Sequence, residues 1–176
     1  MKHLLYILLI IANLHSSEIT KKTLNVINDM FPTAISIDHS MYKIPKKQLK
    51  TIQNTAKQEF FRKELNLWVT MLEDSSKYYS ILDNVKGKSL PITFLTTFNE
   101  KKEVHQTSII KYREAYGGEV ASKSWLNQFT AFTDTSNYKV GKAISGISGA
   151  TISVHSVTKG IRKLSILINS IIDNDE

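Results

Sequence analysis

The 176-residue chain contains no cysteine. That one absence excludes disulfides, thiolate nucleophiles, iron–sulfur clusters, thiolate zinc sites, c-type haem attachment and an acylated lipoprotein anchor. Glycine and proline are scarce, at 7 and 3, so no collagen-like or linker-rich stretch is present. Apolar runs are short: beyond residue 14 none approaches the ~20 residues a bilayer-spanning helix needs. His39 and His105 have no partners at metal-ligand spacing, and no metal is assigned. Basic residues are not interleaved with aromatics as on nucleic-acid-binding surfaces, and no nucleic-acid partner is expected.

What is present reads as one soluble, globular body. Hydrophobic residues make up 41% and charged residues 22%, enough to bury a core. The formal net charge is +7, with lysines scattered as on a solvated surface. The N-terminus has its own pattern. Met1-Lys2-His3 is basic, Leu4 to Leu14 is apolar apart from Asn13, and His15-Ser16-Ser17-Glu18 is polar. This is the layout of a secretory signal peptide. Residues 1–16 are therefore read as a leader, and the protein as exported, periplasmic or on the outer face of the cytoplasmic membrane.

The periodicity of the remainder predicts an α+β fold. Residues 17–31 form a helix capped by Ser17, with Leu24, Ile27 and Phe31 on its inner face and Pro32 as its stop. Ala34 to Asp38 is a short strand. Ile44-Pro45-Lys46 opens a second helix with Leu49, Ile52, Ala56 and Phe60 on one face. Residues 67–71, 78–85, 90–98 and 104–112 are strand-like, the last two forming a hairpin within an antiparallel sheet. Ser122 caps a short helix carrying Trp125, Leu126 and Phe129. Residues 133–149 are a polar loop. Thr151 to Ile172 forms an amphipathic helix, with Val154, Val157, Ile161, Leu164, Ile168 and Ile171 spaced 3-4-3-4-3. No composition break marks a domain boundary. Residues 17–74 are read as a helical extension with the first strands, and 75–176 as the main domain.

Chemistry concentrates at the start of the last helix, after Gly141, Gly146 and Gly149. Glycines admit positive φ and close approach of a ligand. A helix start offers unpaired N–H groups and the positive end of a dipole, together an anion site. Ser148, Thr151 and Ser153 add hydroxyls. The segment has neither P-loop nor dinucleotide-fingerprint spacing, and on pattern alone a glycine-rich helix start without a ligand is the commoner case. On the residues alone, Thr151 is better read as an ordinary N-terminal helix residue whose hydroxyl satisfies backbone donors.

Ser145-Gly146-Ile147-Ser148-Gly149-Ala150-Thr151 resembles the flavinylation motif of the FMN-binding domain family, found in FMN-carrying subunits of the sodium-pumping NADH:quinone reductase and the Rnf complex. Tyr112-Arg113-Glu114-Ala115-Tyr116-Gly117-Gly118-Glu119-Val120, followed by Trp125 to Phe129, is similar to a second segment of that family. The resemblance covers about residues 75–172. It implies an α+β fold whose Gly/Ser-rich loop binds the FMN phosphate ahead of the C-terminal helix. It also implies FMN esterified through its phosphate to Thr151 by a flavin transferase. Gly146, Ser148, Gly149, Ala150 and Ser153 would lie around the phosphate, with Glu114, Gly117, Gly118 and Trp125 nearby. No catalytic side chain is assigned, because the flavin carries the redox chemistry. Where the family has an acidic residue at the motif start, this chain has Ser145. The expected function is an exported electron carrier, more a redox subunit than a stand-alone enzyme, with membrane or periplasmic partners that are quinone-linked or haem proteins. The alternative is a non-redox ligand-binding or sensory module of an envelope complex. For Glu114, a solvated surface charge is the competing assignment, and for Trp125 a place in the core.

Overall fold

The structure is a computed structural model and describes residues 18–175. The leader and the Ser17 cap lie outside those residues. The architecture is α+β: a five-stranded antiparallel sheet, order β1-β2-β3-β4-β5, with helices on both faces. The first helix, α1, covers residues 18–30, and Pro32 follows it as expected. The strands are β1 (Ala34–Lys43), β2 (Glu64–Leu72), β3 (Lys77–Lys86), β4 (Pro91–Asn99) and β5 (Val104–Lys111). Between β1 and β2 runs α2 (Lys46–Ala56), closed by Lys57 in the left-handed region. A four-residue helix, α3 (Lys123–Leu126), precedes the long α4 (Thr151–Ile172).

The two faces of the sheet carry separate clusters. Ile27 and Phe31 pack with Trp68, Leu82, Leu95 and Ile110 on the α1 face. On the other face, Val154, Val157, Ile161, Leu164, Ile168 and Ile171 of α4 join Ile81, Val85, Ile92, Phe94 and Phe98. The 3-4-3-4-3 stripe is thus buried along its whole length. Because β4 is covered on both sides, residues 92–98 are buried without alternation.

Two expectations change. Leu24 is exposed, and its place on the inner face of α1 is taken by Thr23, whose hydroxyl donates to the Ile19 carbonyl at 2.8 Å. A helical threonine can satisfy itself this way and be buried. Strand β1 extends to Lys43 rather than ending at Asp38, since every residue from Ile37 to Lys43 pairs with β2. Most of its residues are exposed, so pairing rather than burial defines its length.

Two features fix α4 against the sheet. A Cβ on Gly160 would lie 2.6 Å from Val85 Cγ1 and 2.9 Å from Phe94 Cζ, so only glycine lets the helix approach this closely. One turn later Lys163, fully buried, places Nζ 2.7 Å from Asp83 Oδ2 of β3. The same Nζ donates to the Glu59 carbonyl at 2.8 Å and lies 4.2 Å from the centre of the Phe60 ring. Burial pushes Asp83 up and Lys163 down, each toward its neutral form, against their mutual attraction. Such a pair specifies position more than it adds stability.

Lys163→Met should destabilise the protein by about 3–5 kcal/mol in urea unfolding, because it strands a buried carboxylate. The Asp83→Leu/Lys163→Met double variant should recover most of that loss. Equal losses in both variants would contradict the pairing.

Candidate functional site

Residues 141–150 reach the α4 start by a pinned route. Gly141, at φ +81°, donates its N–H to the Ile144 carbonyl at 2.8 Å, and Ile144 is fully buried. Upstream, the Tyr138 hydroxyl donates to the Thr133 carbonyl at 3.0 Å and meets Ser165 Oγ of α4 at 2.8 Å. Burial pushes that phenol up to about 12.

Ser145 is held on both sides of its backbone. Its N–H donates to Gln128 Oε1 at 2.8 Å, and its carbonyl accepts from Trp125 Nε1 at 2.8 Å. Trp125 is 5% exposed and meets Phe129 edge-on, with centroids 5.3 Å apart. Ser122 caps α3 by accepting from the backbone N–H of Trp125. Trp125 therefore lies beneath the loop as part of the core and supports the site through Ser145.

The chain then turns at Gly149, at φ +78°, and enters α4 through Ala150. The Val154 N–H is the first to find a helical partner, the Ala150 carbonyl at 2.9 Å. The N–H groups of Thr151, Ile152 and Ser153 precede it. No side chain caps this helix, and no acidic residue stands in its first turn. The side chains of Ser148 and Thr151 are exposed, and a Cβ on Gly146 or Gly149 would meet nothing within 4 Å. An uncapped N-terminus of a 22-residue helix, flanked by hydroxyls and open backbone, is suited to a phosphate.

The second glycine segment closes one side. Gly117, at φ +81°, lies so near Ala150 that a Cβ would come 3.1 Å from the Ala150 Cβ and 2.9 Å from Tyr112 Oη. The Tyr112 hydroxyl reaches the Tyr116 carbonyl at 2.5 Å and Ser153 Oγ at 3.0 Å. Tyr112 thereby ties the end of β5, the Gly117-Gly118 turn and the first turn of α4 together. Gly118 starts the next turn, Gly118–Ala121, and is exposed.

Glu114 goes elsewhere. Its Oε1 accepts from the N–H groups of Ser89 at 2.7 Å and Leu90 at 2.9 Å, in the β3–β4 turn. Those donors hold its carboxyl below the usual glutamate range, Leu90 contributing most. The structure thus brings together Gly146, Ser148, Gly149, Ala150, Thr151, Ser153, Gly117, Gly118 and, from below, Trp125, while the Glu114 carboxylate serves a turn. Sequence reasoning gave no role to Gln128 and left Tyr112 undecided. Its signal was position: the residue that follows β5, five residues ahead of the double glycine.

Residues 87–165 match the family model of the FMN-binding domain. The stretch from the β3–β4 turn into α4 is therefore similar to that domain, and the match supports FMN as its cofactor. No curated protein matches the chain. The uncapped α4 start, with its exposed hydroxyls and unobstructed glycines, fits the phosphate of such a group.

Gly117→Ala should lower stability by about 1–3 kcal/mol in urea unfolding, since it forces a side chain into the left-handed region and against Ala150. Gly146→Ala, facing open space, should change it by less than about 0.5 kcal/mol. Equal effects would contradict the close approach of the two glycine segments. A carboxylate held by backbone donors should also titrate below its ordinary 4.5. Carbon-13 shifts of Glu114 followed through acid should show that depression, and an ordinary midpoint would contradict it.

Proposed function

We propose that the protein is an exported flavoprotein electron carrier, with FMN joined through its phosphate to the Thr151 hydroxyl. The observation that carries the proposal is the α4 start. It lies within the stretch that matches the FMN-binding domain, lacks a side-chain cap, and presents an exposed Thr151 one residue beyond Ala150.

Each part of the chain then has a task. The N–H groups at 151–153 and the helix dipole stabilise the single negative charge left on the phosphate once it is esterified to Thr151. Gly146 and Gly149 keep the approach clear, and Ser148 offers a further donor. Trp125 and Gln128 hold Ser145, and with it the loop, in one geometry. Bound FMN supplies one- and two-electron exchange, and the protein sets its orientation and surroundings. A covalent link suits a protein outside the cytoplasm, where lost FMN is not readily replaced. A flavin transferase would install the group. Membrane or periplasmic proteins, quinone-linked or haem-bearing, would exchange the electrons.

A second reading is a non-redox ligand-binding or sensory module of an envelope complex. Ser145 favours it, because a neutral residue stands where the family's motif is acidic. A visible spectrum of the purified protein separates the two.

Co-expression with a flavin transferase in an exporting host should give a yellow protein and a fluorescent band on a denaturing gel. Thr151→Ala should abolish the band and leave the urea midpoint within about 0.5 kcal/mol of wild type. A colourless wild type, or a band that survives the substitution, would overturn the assignment.

A further inference from the structure

A flavin anchored by its phosphate still leaves its ring to be placed, and the structure offers few aromatic surfaces for it. Trp125 is nearly fully buried, with its indole N–H engaged by Ser145. Tyr112 is half-buried, and its hydroxyl bridges Tyr116 and Ser153. Phe129 is fully buried. Tyr116 differs. At 85% it is the most exposed of the large hydrophobic side chains among the described residues.

Its backbone, by contrast, is fixed. The Tyr116 carbonyl accepts from Tyr112, and the next residue, Gly117, is pressed against Ala150. Ala150 in turn adjoins Thr151. The main chain that carries this solvent-exposed ring is thus fixed one residue from the contact between Gly117 and Ala150. Ile152, 49% exposed, adds an apolar side chain next to Thr151 itself. Two large apolar groups exposed beside one anion site have no structural task in the protein alone, since exposing them forgoes burial. A flat aromatic ligand tethered at Thr151 would cover them.

We infer that Tyr116 is the stacking surface for the isoalloxazine ring of an FMN held at Thr151, with Ile152 contacting the ring or its ribityl chain. This rests on the reading that FMN is attached there. Tyr116 is then a positioning residue that touches the cofactor, and offset stacking of aromatic planes is the favourable arrangement. The opposite ring face is left toward solvent and a redox partner, as a relay requires.

The test uses flavinylated wild type, Tyr116→Phe and Tyr116→Leu, with fluorescence normalised to covalent flavin from intact mass. A phenol in contact quenches flavin emission by lending an electron that returns, with no net change. Wild type should therefore be dim. Tyr116→Phe should be several-fold brighter while keeping the visible circular dichroism of a stacked ring. Tyr116→Leu should be as bright and lose that dichroism. Because Tyr116 is exposed, neither substitution removes core packing, and an unchanged urea midpoint checks this. Equal emission and dichroism in all three flavinylated proteins would overturn the stacking role and leave the carrier intact. A wild type that takes up no flavin would overturn both.

Discussion

The docking of α4 on the centre of the sheet is the constraint from which the rest follows. Gly160 lets the helix settle onto Val85 and Phe94, and the buried Asp83–Lys163 pair fixes where along β3 it rests. Six stripe residues from Val154 to Ile171 then lose their contact with water. At ~1.5–3 kcal/mol for each large aliphatic side chain, this is the largest apolar commitment of any single element. Packing along the helix, with Val154 and Ser153 already buried, fixes where its first turn sits. The start at Thr151 is delivered to one place beside the end of β5.

That rigidity permits the first turn to stay uncapped. The short α3 relies on the Ser122 hydroxyl for its first donors, as a marginal helix must. Helix α4 has Ala150 at the same position and no cap. Packing supplies the stability, so the first turn can do without a side-chain cap on its donors at 151–153. Around them the loop is immobilised by neutral hydrogen bonds: Gln128 and Trp125 to Ser145, and Tyr112 to Tyr116 and Ser153. No acidic side chain enters the first turn to compete with an anion.

Much of this was legible in the sequence, and the misses share a physical cause. The α4 stripe, the Ser122 cap, the Pro32 stop and the 90–112 hairpin are local or periodic, and a linear reading finds them. Leu24 and Thr23 exchange places because a threonine hydroxyl satisfied within its own helix can be buried, which hydropathy alone does not register. Strand β1 outruns its alternation because an edge strand is defined by its partner. The Glu114 contact joins residues 24 and 25 positions apart, and the Lys163 contact joins residues 80 apart with Asp83 and 104 apart with Glu59. No spacing rule foretells such pairings. Trp125 reads better as core than as a wall of the ring pocket, and its burial agrees, but only the structure shows its indole N–H holding the Ser145 carbonyl.

The central claim is that the start of α4 receives the FMN phosphate, and amide chemical shifts test it most directly. In nitrogen-15 spectra of the protein with and without its flavin, the largest changes should fall on the N–H groups of Gly149 and Thr151 to Ser153, with smaller ones at Tyr116 to Gly118. The 420 Å³ cavity lined by Phe61, Asn66, Asn84 and Arg113 should be unaffected. Changes centred on that cavity, with the first turn of α4 undisturbed, would contradict the account.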